Sequence, residues 1–208
     1  VSGAEKHFLI NPFGLHYSEV TASNLVKINL KGEVVDGSAQ RVNPAGFVVH
    51  SAIHAALDQA HCVMHTHTTS GLAVACYEGG LQPDNFYSAQ LHGMVAYHDF
   101  EGITVHADEG PRLLRNMGHK QVLILRNHGL LTCGPSVGEA FNLLYNLELA
   151  CRAQVDAMAA QTALNLPAQA VLDNTAHLYQ PGARRPYGVL EWPAMLRMLD
   201  RIDPSYRD

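Results

Sequence analysis

Three of the 13 histidines lie in sequence contexts that favour metal chemistry. His65 and His67 are separated by one residue within a predicted strand over residues 61–68, and alternate residues of a strand face the same side. Their two imidazoles can therefore bind one small ion together. His128 precedes Gly129 in an Asn-His-Gly turn, where the backbone leaves the ring free to turn toward a ligand. Three neutral imidazoles leave coordination positions open, so the pattern indicates a catalytic metal site rather than a closed structural one.

The donor type restricts the choice of ion. An all-imidazole set suits Zn²⁺, with Mn²⁺, Fe²⁺ and Co²⁺ as alternatives, whereas Ca²⁺ and Mg²⁺ prefer oxygen ligands. The His-x-His spacing alone leaves open a chance pairing in a histidine-rich chain. His50 and His54 form a rival pair at helical i, i+4 spacing, but no third ligand selects them. We interpret this pair as packing or hydrogen-bonding residues, with the alternative that one of them orients a ligand histidine.

Candidates for acid–base or nucleophilic chemistry are fewer. His98 and Glu101 belong to a polar His-Asp-Phe-Glu-Gly segment, which is typical of a solvated strand end and, as the alternative, of a proton-transfer site. The four cysteines form no Cys-x-x-Cys pair, and we expect all of them to be buried apolar residues in a reducing cytosol. No base stands in a recognisable place to activate a thiol, so a cysteine nucleophile is not expected.

Apolar periodicity, turn residues and helix caps predict an α/β domain. Asn43 is expected to cap a helix with Pro44 in its first turn, and Ser136 with Glu139 has the capping-box pattern at the start of a long core helix. The predicted strands cover residues 7–10, 24–30, 33–36, 61–68, 95–98, 102–106, 122–125 and 130–133, and the predicted helices cover residues 43–59, 111–117, 136–158 and 192–201.

Composition and charge exclude several classes of protein. The 208 residues are 47% hydrophobic and 16% charged, which suffices for one domain with a sizeable core. The formal net charge is -5 and no basic cluster occurs, so we expect neither a nucleic-acid partner nor a membrane partner. No apolar run approaches the roughly 18 residues that cross a bilayer, and the first residues lack a signal-peptide pattern. A cytoplasmic location is therefore expected.

Three segments, in this order, carry a resemblance to a known family. They are Asn-Pro-Ala-Gly-Phe-Val-Val-His at 43–50, Val-Met-His-Thr-His-Thr at 63–68 and Leu-Ile-Leu-Arg-Asn-His-Gly at 123–129. Together they resemble the class II aldolase/adducin family. Within that family, residues 11–28 look closest to the adducin head domain and its bacterial relatives.

The resemblance implies a fold and an assembly. The family fold is a three-layer α/β/α domain around a mostly antiparallel central sheet, and members commonly form homotetramers with active sites near subunit boundaries. We expect a single domain over residues 1–208, with a family core at about 7–160 and a C-terminal extension at 161–208.

The resemblance also implies roles for individual residues. The metal ligands of the family enzymes match His65, His67 and His128, and the position of the catalytic Glu of the aldolases is occupied by Gly46. Since glycine cannot accept a proton through a side chain, proton transfer would come from Glu101 or His98, from a neighbouring subunit, or from metal-bound hydroxide. The residues expected to line the pocket or support the ligands are His50, Asn127 and Gly14.

These expectations predict a metal-dependent lyase. It would act on a small hydroxy-carbonyl or hydroxy-acid substrate through an enediolate-like intermediate. A phosphorylated sugar is not favoured, because the stretches at 11–14 and 43–46 lack the hydroxyl residues with which the aldolases bind phosphate. The alternative is a non-catalytic, adducin-like binding or scaffold module that retains the metal site. An epimerase of the same family is a third reading of the same residues.

Overall fold

A computed structural model describes residues 5–103 and 108–208. The chain forms two compact units, each built from discontinuous segments. The first contains the residues up to 58 together with 101–114 and 194–208, and the second contains residues 59–100 and 115–193. The expectation of a single domain over the whole chain stays a prediction.

The first unit contains a two-stranded sheet. β1 (His7–Ile10) pairs antiparallel with β2 (Val26–Asn29), which confirms both predicted strands, although β2 is shorter than expected. The strand predicted over residues 33–36 is wrong, because Val34 makes only an isolated bridge to Ile28. The buried apolar side chains of this sheet are Phe8, Ile10, Val26 and Ile28.

Helix α1 (Pro44–Ala56) also belongs to the first unit. The Asn43 side chain accepts the backbone N–H of Ala45 at 3.1 Å, and Pro44 occupies the first turn, so the predicted cap is confirmed. The helix buries one apolar face and ends at Ala56, before the predicted end at residue 59. The residues of that face are Val48, Val49 and Ile53.

The second unit is built on a four-stranded sheet in the order β3-β6-β5-β4. The strands are β3 (Cys62–Thr66), β4 (Val95–His98), β5 (Val122–Leu125) and β6 (Gly129–Gly134). Both pairings of β6 are antiparallel and β4 is parallel to β5, so the sheet is mostly antiparallel, as expected. Consequently β3, β4 and β5 run in one direction, and their carboxyl ends lie at the same edge of the sheet.

Helix α5 (Val137–Ala159) is the longest helix and forms the centre of the second unit. It packs against β3 and β6, and against the short helices α2 (Thr69–Cys76) and α3 (Phe86–Gln90). α6 (Gln169–Tyr179) packs against α3. The core residues of this unit are Val74, Ala75, Leu91, Val122, Ile124, Leu130, Leu143, Leu147, Cys151 and Tyr179.

Two further helices lie close to their predicted positions. α4 (Glu109–Met117) begins two residues earlier than predicted, and α7 (Glu191–Ile202) is one residue longer at each end. Short 3₁₀ turns cover Tyr17–Glu19 and Pro204–Arg207. Most of the strand predicted over 102–106 falls outside the described residues. Within residues 5–103 and 108–208, none of the helices combines the length and apolar character needed to cross a membrane.

Some local predictions were wrong. Cys133 and Cys151 are buried and Cys62 is partly buried, but Cys76 is exposed at the end of α2. In the expected capping box of α5, the Ser136 hydroxyl accepts the Glu139 N–H but donates to the Glu139 carboxylate, which therefore does not cap the Ser136 backbone.

Candidate metal centre

The three predicted ligands lie at the edge of the sheet where β3 and β5 end. His65 is the penultimate residue of β3, and His67 follows the end of that strand. At the end of β5 the chain reverses into β6, and the pairing of Leu125 with Gly129 closes this turn around His128. The backbone of Asn127 has a φ of 56°, a left-handed conformation that asparagine tolerates better than most residues.

The three imidazole rings converge. The Nε2 atoms of His65 and His67 are 2.7 Å apart, and the potential ligand atoms of all three histidines lie within 4.8 Å of one another. Ring centroids are 4.5 Å apart for His65 and His67, and 4.8 Å from each of these to His128. Two nitrogen ligands on one tetrahedral zinc ion would be about 3.3 Å apart, so the cluster has the dimensions of a one-ion site. This histidine triad could hold one divalent metal ion.

A backbone carbonyl fixes the proton on His65. The Nδ1 atom of His65 lies 2.8 Å from the carbonyl oxygen of Leu130. Because a carbonyl can only accept a hydrogen bond, Nδ1 carries the proton in the neutral ring. The lone pair of a neutral His65 is therefore on Nε2, the atom that faces His67, as a metal ligand requires.

Close backbone packing brings His67 to this position. A Cβ atom added at Gly129 would clash with the carbonyl oxygen of Thr66 and would lie 3.1 Å from Cδ2 of His67. Glycine at position 129 therefore allows the start of β6 to approach the end of β3. The sequence shows this glycine, but it does not show which backbone the glycine meets.

Thr68, the residue after His67, is hydrogen-bonded to helix α5. Thr68 caps α2 by accepting the N–H of Gly71 at 3.3 Å, and its hydroxyl donates to the carboxylate of Glu148 at 2.5 Å. Glu148 lies on α5, so this bond joins the chain after the His-x-His pair to α5. Sequence reasoning missed Glu148, because a single acidic residue in a long helix carries no distinguishing spacing.

An aromatic side chain lies beside His128. The ring of Phe100 is arranged edge-on to the ring of His128, with the centroids 6.3 Å apart, and Phe100 is 54% exposed. The preceding residue, Asp99, forms an ion pair with Arg126 at 3.7 Å. Sequence reasoning assigned no role to Phe100, because an isolated aromatic residue in a loop has no pattern that separates it from surface residues.

Two other predicted site residues belong to the second unit. His98 is buried at the end of β4, and its Nδ1 accepts a hydrogen bond from the side-chain amide of Asn116 at 2.9 Å. Asn127 is exposed in the turn before His128, and its backbone N–H donates to the carbonyl of Ala75 at 3.0 Å. Both residues therefore have clear structural contacts, and Asn127 adjoins the triad directly.

The remaining predicted site residues, Gly14, Gly46, His50 and Glu101, belong to the first unit, so their roles at the histidine triad stay predictions. Gly14 has a φ of 99°, and among the described residues no atom lies within 4 Å of an added Cβ there; Gly46 is in the first turn of α1. Burial, and then the proximity of His54, lower the pKa of His50 to about 4. The Glu101 carboxylate accepts hydrogen bonds from Nε of Arg112 at 2.8 Å and 3.1 Å and from Nη2 at 2.5 Å, and this pairing raises the pKa of the guanidinium.

Comparisons with known proteins agree with this fold. The family model described as "Class II Aldolase and Adducin N-terminal domain" matches residues 1–155. The crystal structure of an aldolase II superfamily protein from Pseudomonas syringae is 44% identical with a TM-score of 0.93, covering 99% of this chain and 83% of that chain. An L-fuculose 1-phosphate aldolase from Glaciozyma antarctica is 28% identical with a TM-score of 0.83, covering 97% of this chain and 78% of that chain.

An adducin is similar in sequence to about the same degree. Alpha-adducin of Rattus norvegicus is 43% identical over 220 residues, which cover 97% of this chain but only 29% of the adducin. The match to the family model and these similarities confirm the predicted α/β, class II aldolase-like fold. The chain therefore belongs to the class II aldolase/adducin family.

Proposed function

We propose that this chain is a metal-dependent lyase of the class II aldolase type. Its ligands would be His65, His67 and His128, and its substrate a small hydroxy-carbonyl or hydroxy-acid compound. The observation that carries the proposal is the convergence of these three imidazoles at one sheet edge. Zinc fits three nitrogen donors best, with manganese, iron and cobalt as alternatives.

The chain itself would contribute a rigid, preorganised set of ligands. Leu130 keeps the Nδ1 proton on His65, and Gly129 lets the turn with His128 approach His67. When bound, the ion would supply Lewis-acid stabilisation of the enediolate-like charge that develops as a carbon–carbon bond breaks. Three protein ligands leave positions at which a substrate can chelate through a carbonyl or carboxylate oxygen and a neighbouring hydroxyl.

Because Gly46 has no side chain that can transfer a proton, another group would have to supply this step. His98 is only 3% exposed and is engaged by Asn116, which makes it poorly placed to exchange protons with a substrate from solvent. Glu101 is paired with Arg112 on an exposed surface, and its carboxylate is the better candidate of the two. A group from a neighbouring subunit remains an alternative, since we propose a homotetramer in the cytoplasm by analogy with the family.

The proposed substrate differs from that named for one neighbour. The Glaciozyma antarctica protein is named for a sugar phosphate, L-fuculose 1-phosphate. In this chain the two turns at 11–14 and 43–46 read Asn-Pro-Phe-Gly and Asn-Pro-Ala-Gly, without hydroxyl side chains to bind phosphate. An unphosphorylated substrate is therefore part of the proposal.

Metal content tests the proposed centre directly. We expect about one zinc, manganese, iron or cobalt ion per chain by elemental analysis of protein purified without a histidine tag. His65→Ala should lose most of this metal, because two remaining imidazoles chelate poorly. The matched control is His92→Ala, since His92 contacts Gln169 and lies outside the triad. Metal that persists in His65→Ala, or its absence from the wild-type protein after incubation with these ions, would contradict the proposal.

The second candidate function is a non-catalytic, adducin-like module. Two observations favour it: the 43% identity with rat alpha-adducin, and the glycine at position 46, where the aldolases carry their catalytic Glu. A metal ion would then serve stability rather than catalysis.

Gly46→Glu distinguishes the two candidates. Within residues 5–103 and 108–208, an added Cβ at this position would meet the Cβ of Asn43 at 3.9 Å, an ordinary van der Waals contact, so the helix accepts a Cβ here. If the site is complete apart from its base, the metal-loaded variant should gain aldol addition with dihydroxyacetone as donor, measured against Gly46→Gln, which has similar size but no carboxylate. A folded, metal-loaded Gly46→Glu protein without activity, together with an inactive wild-type protein, would favour the binding module.

A further inference from the structure

Phe100 lies at the same sheet edge as the histidine triad, and the proposed mechanism does not use it. β4 and β5 are parallel neighbours in which His98 pairs with Leu125, so the chain leaves both strands at the same edge. Beyond these ends, the rings of Phe100 and His128 meet edge-on. The ends of the three parallel strands therefore bring side chains to the same edge of the sheet. His65 lies at the end of β3 and His67 follows it, His128 follows β5, and Phe100 follows β4.

The contacts of Phe100 and its neighbours place its ring beside the histidine triad. Its side chain is 54% exposed although it adjoins a polar cluster of imidazoles. Its neighbour Asp99 is linked to Arg126, and the backbone N–H of Arg126 donates to the carbonyl of His98 at 2.8 Å. These contacts hold the start of the loop next to the turn that carries His128. A ligand on the triad that covered this ring would remove apolar surface from water, which is favourable.

We infer that Phe100 is a specificity-determining residue that selects substrates with an apolar or aromatic substituent beside the chelating group. This inference rests on the proposed metal centre. The ligand class is an α-hydroxy acid or hydroxy ketone whose two oxygens chelate the ion while its substituent packs against Phe100. A phenyl ring has no hydrogen-bond donor to offer a phosphate group, so the same side chain gives no advantage to phosphorylated compounds.

The test compares two chelating acids that differ in their substituent. The protein is loaded with Co²⁺, and its visible absorption spectrum is titrated with glycolate, which has no substituent, and with mandelate, which carries a phenyl ring. We expect the wild-type protein to bind mandelate about tenfold more tightly than glycolate. Phe100→Ala should bring this ratio close to one while leaving the affinities for Co²⁺ and glycolate unchanged. Phe100→Leu, which keeps apolar bulk without a ring, should give an intermediate ratio.

Phe86→Ala is the matched control, because Phe86 is 72% exposed in the same unit and packs against Tyr87 rather than the triad. It should retain the wild-type ratio of the two affinities. A ratio that is the same in Phe100→Ala and wild type, with Co²⁺ binding intact, would overturn the role of Phe100 alone. Failure of the wild-type protein to bind Co²⁺ would overturn the metal centre and, with it, this inference.

Discussion

The hydrogen bond between His65 and Leu130 shows how a single backbone group can prepare a ligand. The carbonyl of Leu130 sits on β6, directly beside the strand that carries His65. It holds the ring at one nitrogen and so directs the other nitrogen toward His67. Because the support comes from the sheet backbone, no separate side chain is needed to orient this imidazole.

At the residue scale, Gly129→Ala should disturb the triad without removing a ligand. The added methyl group would meet the Thr66 carbonyl and crowd His67, so the two strand ends would have to separate. We expect a loss of about 1–3 kcal/mol in the free energy of unfolding. We also expect about 10–100-fold weaker Zn²⁺ binding. Urea denaturation and competitive metal titration measure the two effects.

The control for this substitution is Gly46→Ala, which adds the same methyl group on α1, where the Cβ of Asn43 would lie at an ordinary contact distance of 3.9 Å. It should raise the free energy of unfolding by about 0.5–1 kcal/mol, as expected for glycine replaced within a helix. If Gly129→Ala were as stable as wild type and bound Zn²⁺ equally well, the close approach of the strand ends would contribute neither to stability nor to metal binding.

Part of the candidate site follows from sequence alone. The i, i+2 spacing of His65 and His67 predicts a shared face, and the structure brings their nitrogen atoms within 2.7 Å. The contacts that position them could not be predicted, because the Leu130 carbonyl and the Gly129 approach depend on the register between strands far apart in sequence. Phe100 was missed for the same reason, since its neighbour His128 belongs to another strand end.

At the scale of elements, helices and strands with a strong local sequence pattern were predicted, and those with a weak pattern were missed. α5 and β5 are long or continuously apolar, and both were predicted. α2 was missed because it is short and contains Gly71, whose missing side chain makes room for Leu130 of β6. α6 was missed although Leu172, Ala176 and Tyr179 are spaced along one buried face, because Ala168 provides no side-chain cap to mark its start.

The contact between α6 and α5 can be tested with Tyr179→Phe. The buried Tyr179 hydroxyl accepts hydrogen bonds from the side-chain amides of Asn142 at 2.7 Å and Asn146 at 2.6 Å. Removing the hydroxyl leaves these donors without their partner, so we expect a loss of about 1–3 kcal/mol in the free energy of unfolding.

Urea denaturation measures this loss, and Tyr187→Phe provides the control. The Tyr187 hydroxyl donates a long hydrogen bond of 3.5 Å to the carbonyl of Leu178, so its removal should have little effect. Equal stability of the two variants would mean that the buried tyrosine–asparagine network does not stabilise the docking of α6.

At the scale of the whole molecule, the family assignment and the fold class were predictable while the division into compact units was not. The motif order in the sequence placed the chain in its family, and the match over residues 1–155 agrees with that placement. The first unit consists of three chain segments and the second of two, and the segments of the two units alternate along the sequence. This arrangement arises from long-range contacts rather than from any linker in the sequence.

The free energy of unfolding should depend on pH through protonation of the His50 ring. Its pKa is about 4 in the folded chain against an ordinary value of 6.5, because burial disfavours the charged ring. Between these values the unfolded chain binds a proton that the folded chain does not, so stability is lost as pH falls through this window. The metal-free protein should therefore have a lower urea midpoint at about pH 5 than at about pH 7.

The variant His50→Asn isolates this contribution, since the other titrating groups remain. It should show a smaller fall in the urea midpoint between the same two pH values. An identical fall in the variant and in the wild-type protein would assign the pH dependence to other groups.

The uneven burial of the four cysteines gives the chain a built-in attachment point for a spectroscopic probe. Burial raises the pKa of Cys62 to about 11 and the pKa values of Cys133 and Cys151 to about 12, which makes these thiols unreactive near neutral pH. Cys76 is the exposed one, at the far end of the helix that begins just after His67. A maleimide dye on native protein would thus be carried by the helix next to the metal ligands, and its emission could report ion and ligand binding without any engineered residue.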